Sequence, residues 1–264
     1  MFDTAVLLQT SGVVQDLGLG DRPESVWLLI GTVLMLAGTF YFIRHGMAYA
    51  DTREKIEYHV VTIMITSIAF ASYLAMFFGI GLTEVTLANG DVLDIYWARY
   101  ADWLFTTPLL LLDLALLAKA TDKGTIAALV LVDAFMIVTG LAGALSPTPL
   151  ERYVWWTIST VALFVILWIL WTNLTARAED MNEDVRGTFT LLRNAIVVLW
   201  LAYPVLWVFG TEGTGLLPLF HETLGFMILD VLAKVGFGLV LLRSRAVLGG
   251  SEDDAPEPSA EAAD

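Results

Sequence analysis

The sequence contains no cysteine, which excludes a disulfide framework, thiolate metal ligands and thiol nucleophiles, and leaves the redox compartment open. Charge is scarce: 16% of the 264 residues are Asp, Glu, Lys or Arg, against about a quarter in soluble domains. Positive charge is scarcer still. Fourteen Lys and Arg stand against twenty-eight Asp and Glu, and the formal net charge of −14 excludes the basic surface of a nucleic-acid binder. The three histidines, His45, His59 and His221, are scattered near the ends of apolar runs, so a metal site built from them is not expected. A Gly-rich phosphate loop, a zinc spacing, a nucleophile elbow and an internal repeat are all missing, and with them the common sequence signatures of enzymes.

What is plentiful is apolar material, 57% of the chain, against about 45–50% in soluble proteins. It gathers into seven runs near Val26–Ile43, Tyr58–Gly79, Tyr96–Ala118, Thr125–Leu145, Tyr153–Thr172, Thr188–Gly210 and Leu219–Leu242. Each approaches the roughly 20 residues that cross a bilayer as a helix, and hydrocarbon tolerates no unpaired backbone. With short connections and no room for a second domain, the expected fold is an all-α membrane protein, a seven-transmembrane-helix bundle of antiparallel neighbours.

Ten of the fourteen bases lie on one side of this bundle, two (Arg22 and Arg152) on the other, and Arg99 and Lys234 within spans. The positive-inside bias then puts the N-terminus outside and the C-terminus in the cytoplasm of a multi-pass cell-membrane protein. Residues 1–24 read as an extracellular segment that lacks a positive signal-peptide region and is open to processing. Residues 25–245 form the membrane domain. Residues 246–264 carry six acids, two prolines and no base after Arg245, and read as a disordered cytoplasmic tail.

Six ionisable residues lie at membrane depth, away from the ends of the runs: Arg99, Asp102, Asp113, Asp133, Asp230 and Lys234. Each costs about 2.5 to 3.5 kcal/mol on insertion scales, so each calls for a function. Asp102 and Asp113 are eleven residues apart, which at about 100° and 1.5 Å per residue puts them on one stripe about 16 Å apart in depth. Thr106, one turn from Asp102, offers the stripe a hydroxyl relay, and Arg99, one turn outward, a cation able to hold Asp102 ionised. Asp113 has only leucines beside it and is expected to stay protonated. Polar contacts that glue helices would need one or two such groups, whereas a proton path needs the alternating series present here.

Asp230 and Lys234 stand four apart on one face of the seventh run. A mutually neutralised pair is one reading, although buried pairs seldom stabilise. The other is a desolvated amine able to form a Schiff base with a carbonyl compound, with Asp230 and Asp102 as counter-charges. The aromatics favour the second. Some belong to the interface belt, such as Trp27, Trp97 and Trp171, but Trp200, Tyr203 and Trp207 share a face of the sixth run with Pro204, and Trp103, Trp155 and Trp156 lie on two other runs. Rigid aromatics converging at the depth of a lysine outline a slot for a long, flat, apolar ligand.

Three stretches carry a family resemblance: Arg99-Tyr100-Ala101-Asp102-Trp103-Leu104-Phe105-Thr106-Thr107-Pro108, Arg193-Asn194 through Trp200-Leu201-Ala202-Tyr203-Pro204, and Leu229-Asp230-Val231-Leu232-Ala233-Lys234-Val235-Gly236-Phe237-Gly238. They closely resemble the microbial (type I) rhodopsins, among them the archaeal bacteriorhodopsin-like proton pumps, over nearly the whole chain. The resemblance implies all-trans retinal bound as a Schiff base on Lys234, Asp102 as proton acceptor, and Asp230 as second counterion held by Tyr73 and Tyr203. It implies that Arg99 links them to an extracellular release group of Glu212 and Glu222 with Glu24 nearby, and that Asp113, bonded to Thr62, is the cytoplasmic donor. Around the chromophore it implies Trp103, Thr107, Leu110, Met136 and Gly140, then Trp156, Ser159, Trp200, Tyr203 and Trp207, with Asp133 and Thr139 near the ring end. Leu163 departs from a familiar methionine beside the ring.

Chloride-pumping relatives carry Thr or Ser at the acceptor position and sensory relatives usually lack a carboxyl at the donor position, so Asp102 and Asp113 together imply a light-driven outward proton pump, a transporter rather than an enzyme. A sensory photoreceptor acting through a membrane transducer is the alternative, and a retinal-free proton transporter a third. Membrane lipids and a homotrimer are the implied partners, with a carotenoid left open. His59 is read as a lipid-interface residue.

Overall fold

The computed structural model describes residues 22–120 and 122–248. The expected N-terminal segment and acidic tail lie almost wholly outside them. Seven helices are long and apolar enough to cross a membrane: α1 (Ser25–Tyr49), α2 (Arg53–Phe77), α3 (Trp97–Leu117), α4 (Lys123–Leu145), α5 (Pro149–Glu179), α6 (Glu183–Phe209) and α7 (Leu219–Leu242). They coincide with the seven apolar runs and extend past several of them, because polar caps lie beyond the hydrophobic stretch. Thr52 accepts from Lys55 N, Asp122 from Gly124 N and Thr125 N, and Asn182 from Val185 N. At α5, Thr148 accepts from Glu151 N and donates to the Glu151 carboxylate, with Pro149 in the first turn.

Sequential helices pack as neighbours and α7 returns against α1, closing a ring. α3 is the most buried and also touches α6 across the middle. The outward faces present Phe40, Leu131, Trp168 and Val198, an apolar rim suited to lipid and unsuited to water.

Two features depart from plain α-helices. The α2–α3 connection forms an antiparallel hairpin, β1 (Thr83–Thr86) with β2 (Val92–Ile95). Its turn places Gly90 at φ 93, a conformation that glycine adopts without a Cβ penalty, and Ala88 N reaches Pro147 O at 3.0 Å. Ile95 packs beneath it with Tyr100 and Trp207, so the hairpin covers one end of the bundle. Secondly, α5 and α7 each contain a π-helical turn, at Leu170–Leu174 and Leu232–Gly236. The second is centred on Lys234, and such bulges concentrate at functional sites.

Candidate functional site

A cleft runs between α3, α4, α5, α6 and α7, lined mostly by apolar and aromatic side chains as ligand pockets are. Trp103, Trp156, Trp200, Tyr203 and Trp207 line it as the aromatic spacing predicts, together with Thr107, Leu110, Met136, Gly140 and Ser159. Tyr100, Thr160, Leu163, Pro204 and Phe226 also line it; of these, sequence reasoning reached only Leu163 as a wall position. A Cβ on Gly140 would stand 3.4 Å from Ser159 Oγ and 3.5 Å from the Tyr100 ring, so the missing side chain keeps the cleft wide there. Trp156 is fixed by a 3.2 Å bond from Nε1 to Pro204 O and Trp207 by one of 2.9 Å to Tyr100 OH. Trp155 is exposed and forms no part of the wall.

Lys234 closes one end of the cleft. Its Nζ lies 2.5 Å from Asp102 Oδ2 and 2.8 Å from Asp230 Oδ1, with all three side chains buried. The two carboxylates are not equivalent. Asp230 also accepts from Tyr73 OH (2.7 Å), Tyr203 OH (2.9 Å) and Trp103 Nε1 (3.0 Å), the tryptophan being a donor not foreseen. Asp102 Oδ1 has no hydrogen-bond partner among the described residues. Thr106 Oγ1 donates to the Asp102 main-chain carbonyl at 2.8 Å, so its observed bond braces the backbone.

Arg99 meets Glu212 and Glu222 as the resemblance implies, but makes no ion pair with Asp102, which the helical spacing suggests it would hold ionised. Its guanidinium makes its ion pairs with Glu222 Oε1 at 3.5 Å and Glu212 Oε1 at 4.0 Å, and lies 4.3 Å over the Phe226 ring. The cation paired with Asp102 is Lys234, because the long arginine side chain runs outward along α3 to carboxylates supplied by the α6–α7 loop and α7. Glu222 accepts from Thr211 N at 2.6 Å. Arg152 holds the loop, with Nη1 on Glu212 O (2.9 Å) and Nε on Ser146 O (2.8 Å). Glu212, in that loop, has its carboxyl pushed well above the usual range by burial and by the neighbouring Glu222, against the opposing pull of Arg99. Burial and Glu222 thus favour its protonated form. Glu24 stands at the same end, accepting from Tyr96 OH at 2.7 Å.

At the opposite end Asp113 is fully buried, with Thr62 Oγ1 3.4 Å from Oδ2 as its one hydrogen-bond partner among the described residues. Asp133 accepts from Thr107 Oγ1 at 2.7 Å and Thr139 bonds Phe135 O at 2.7 Å. Neither lines the cleft, nor does Tyr73; Asp133 touches it through Thr107 and Tyr73 through Asp230. His59 is not a lipid-facing residue. It is buried, with Nε2 2.9 Å from His45 Nδ1, because both imidazoles turn inward between α1 and α2.

Residues 22–248 match the family model described as "Bacteriorhodopsin-like protein". The chain belongs to the bacteriorhodopsin-like family. Archaerhodopsin-2 of Halobacterium sp. (strain aus-2) is 63% identical over 239 residues, covering 90% of this chain and 91% of that one. Among solved structures, the thermophilic rhodopsin of Rubrobacter xylanophilus superposes with a TM-score of 0.80 at 42% identity, over 85% of this chain and 97% of that one. The light-driven proton pump Coccomyxa subellipsoidea rhodopsin does so at 0.79 and 32%, over 84% and 96%. As a bacteriorhodopsin-like protein with seven membrane-spanning helices, the chain is a multi-pass membrane protein whose family implies a retinal chromophore. The residues fit that group: an apolar aromatic cleft ends at one buried primary amine, and the amine has an anionic partner on either side.

Proposed function

We propose that this chain is a light-driven outward proton pump of the cell membrane, with retinal held as a protonated Schiff base through Lys234 Nζ. One observation carries the reading. Lys234, buried at the end of an aromatic cleft, lies 2.5 Å from a carboxylate with an unpartnered oxygen, while a second carboxyl, Asp113, lies eleven residues inward on the same helix with its own hydroxyl partner. When bound, retinal would supply light absorption and a photoisomerisation of its polyene chain. Trp103, Trp200 and Trp207 confine it, and the surrounding apolar side chains exclude water.

The residues assign the proton its route. Asp230 has three donors besides Lys234 and stays a carboxylate, so the proton leaving Nζ goes to Asp102 Oδ2. That removes the charge nearest the outer half of α3. Arg99, no longer balanced by an anion at Asp102, then acts more strongly on Glu212 and Glu222, and the proton held on this pair leaves to the outside. Asp113 afterwards returns a proton to Nζ, which requires the inner half to open. α6, interrupted at Pro204 next to the cleft, is the element suited to move. The outward direction follows from the ten-to-two excess of bases on the inner side. Lipids surround the bundle, and the homotrimer implied by the family is the assembly we assign to it.

Illuminating cells that express the chain with added retinal tests this. Acidification of the medium that a protonophore abolishes is expected. A colourless protein, or a coloured one that leaves the pH unchanged, would overturn the reading.

A further inference from the structure

His45 and His59 form a closed pair at the end of the bundle where α1 turns into α2. His45 Nδ1 is 2.9 Å from His59 Nε2, and His59 Nδ1 is 2.7 Å from Lys55 O. A carbonyl only accepts, so His59 Nδ1 carries a hydrogen and a neutral His59 presents Nε2 as a lone pair; His45 Nδ1 must then donate. The rings stack at 5.2 Å and 18°, and a Cβ on Gly46 would come within 3.1 Å of His59 Cδ2, so the glycine makes room for the ring.

This arrangement can store one proton. With one added, His59 donates from Nε2 as well as Nδ1, and His45 moves its hydrogen to Nε2 and accepts at Nδ1, so both bonds survive. A second proton would set N–H against N–H. The other groups facing the pair are Tyr41, stacked on His45 at 5.8 Å, Tyr49, tilted against it at 4.6 Å, and Arg243 just past α7, whose charge also opposes a second proton. The Lys55 ammonium is engaged with Asp51 at 2.8 Å. Among the described residues no carboxylate lies within ion-pair distance of either ring.

The pair is also in line with the inner acid. Thr62, which bonds Asp113, is one turn along α2 from His59, about 4.5 Å of rise. Phe42 is one turn along α1 from His45. Thr62 and Phe42 both press on Gly238 of α7, so an apolar layer separates the pair from Asp113. Resting on the reading of the chain as an outward pump, we propose that the His45–His59 pair is its cytoplasmic proton-loading site, taking one proton from the interior and passing it to Asp113 when the layer around Phe42 parts. The proton leaves His59, joins the Asp113 carboxylate, and returns the pair to its neutral form.

Flash excitation of the pigment in H59Q and H45Q tests this. The readouts are the Asp113 carboxyl infrared band and a pH dye on the cytoplasmic side, followed from about pH 6 to 9, across the range where imidazoles and their neighbours titrate. In both variants recovery of the Asp113 proton is expected to slow by about tenfold or more and to become proportional to the bulk proton concentration. Millimolar imidazole should restore it, and the steps before Asp113 loses its proton should stay unchanged. Unchanged recovery, or a loss that imidazole does not repair, overturns the proposal and assigns the pair to packing. H45Q keeps the His59–Lys55 bond and serves where H59Q fails to assemble. If the unmodified pigment moves no protons at all, the pump reading itself falls; if it pumps and the variants match it, only the loading site does.

Discussion

The two halves of the bundle on either side of Lys234 are built differently. Toward the end proposed to face outward, charged groups follow one another closely. Asp102 and Asp230 hold the amine, Arg99 holds Glu212 and Glu222, and Arg152 fixes the loop that carries Glu212. Toward the other end the buried acid is Asp113, with the Thr62 hydroxyl at 3.4 Å, and Phe42, Leu110, Leu111 and Leu114 belong to the apolar cluster of that half. A proton released at Lys234 therefore meets an acceptor already in contact on one side and a sealed apolar layer on the other. The difference teaches where direction would reside in the proposed pump: in connectivity, one half having its charged groups already in contact and the other an apolar layer that has to open.

Attacking the junction of the two halves gives the largest effect. Lys234→Ala removes the amine, and titration with retinal should leave no visible absorption band. Asp102→Asn, which strips the outer half of its acceptor, should red-shift the pigment in an absorption spectrum and stop net proton export. Asp113→Asn acts on the inner half alone. Flash photolysis should show the early steps intact and reprotonation of Lys234 slowed by about 100-fold or more, with azide restoring the rate. Glu212→Gln touches only the far outer end, so a pH dye should report delayed release with an otherwise normal cycle. Glu212 holds its proton because burial and Glu222 raise its affinity, so in the unmodified protein prompt release should fade as the pH rises and that proton is lost before the flash. Phe42→Ala, the mildest change, should thin the inner layer and speed reprotonation several-fold, weakening the contrast between the halves without abolishing transport.

Much of this asymmetry was legible in the sequence. The seven spans follow from hydrophobic length. The stripe from Asp102 to Asp113 follows from helical period, and the Asp230–Lys234 pair from its i,i+4 spacing. What escaped depended on neighbours that one helix's period does not specify. Helical spacing alone puts Arg99 beside Asp102, and only the family resemblance points to the acids of the α6–α7 loop and α7 that its side chain reaches. The π-helical turn at Lys234 leaves no mark in composition. The hairpin had a signal, Asn89-Gly90 between two short β-branched stretches, which longer apolar runs on either side overshadowed. The histidine pair had one too: His45 and His59 lie seven residues either side of Thr52, as residues facing each other across a short helical hairpin do.

The order of proton movements is the most direct test of the account, and time-resolved infrared spectroscopy of the carboxyl stretching region reads it, with Asp102→Asn and Asp113→Asn used to assign the bands. The account predicts that Asp102 gains its proton first and that Asp113 loses its own only later, as Lys234 is reprotonated. Loss from Asp113 before or together with the gain at Asp102 would contradict it.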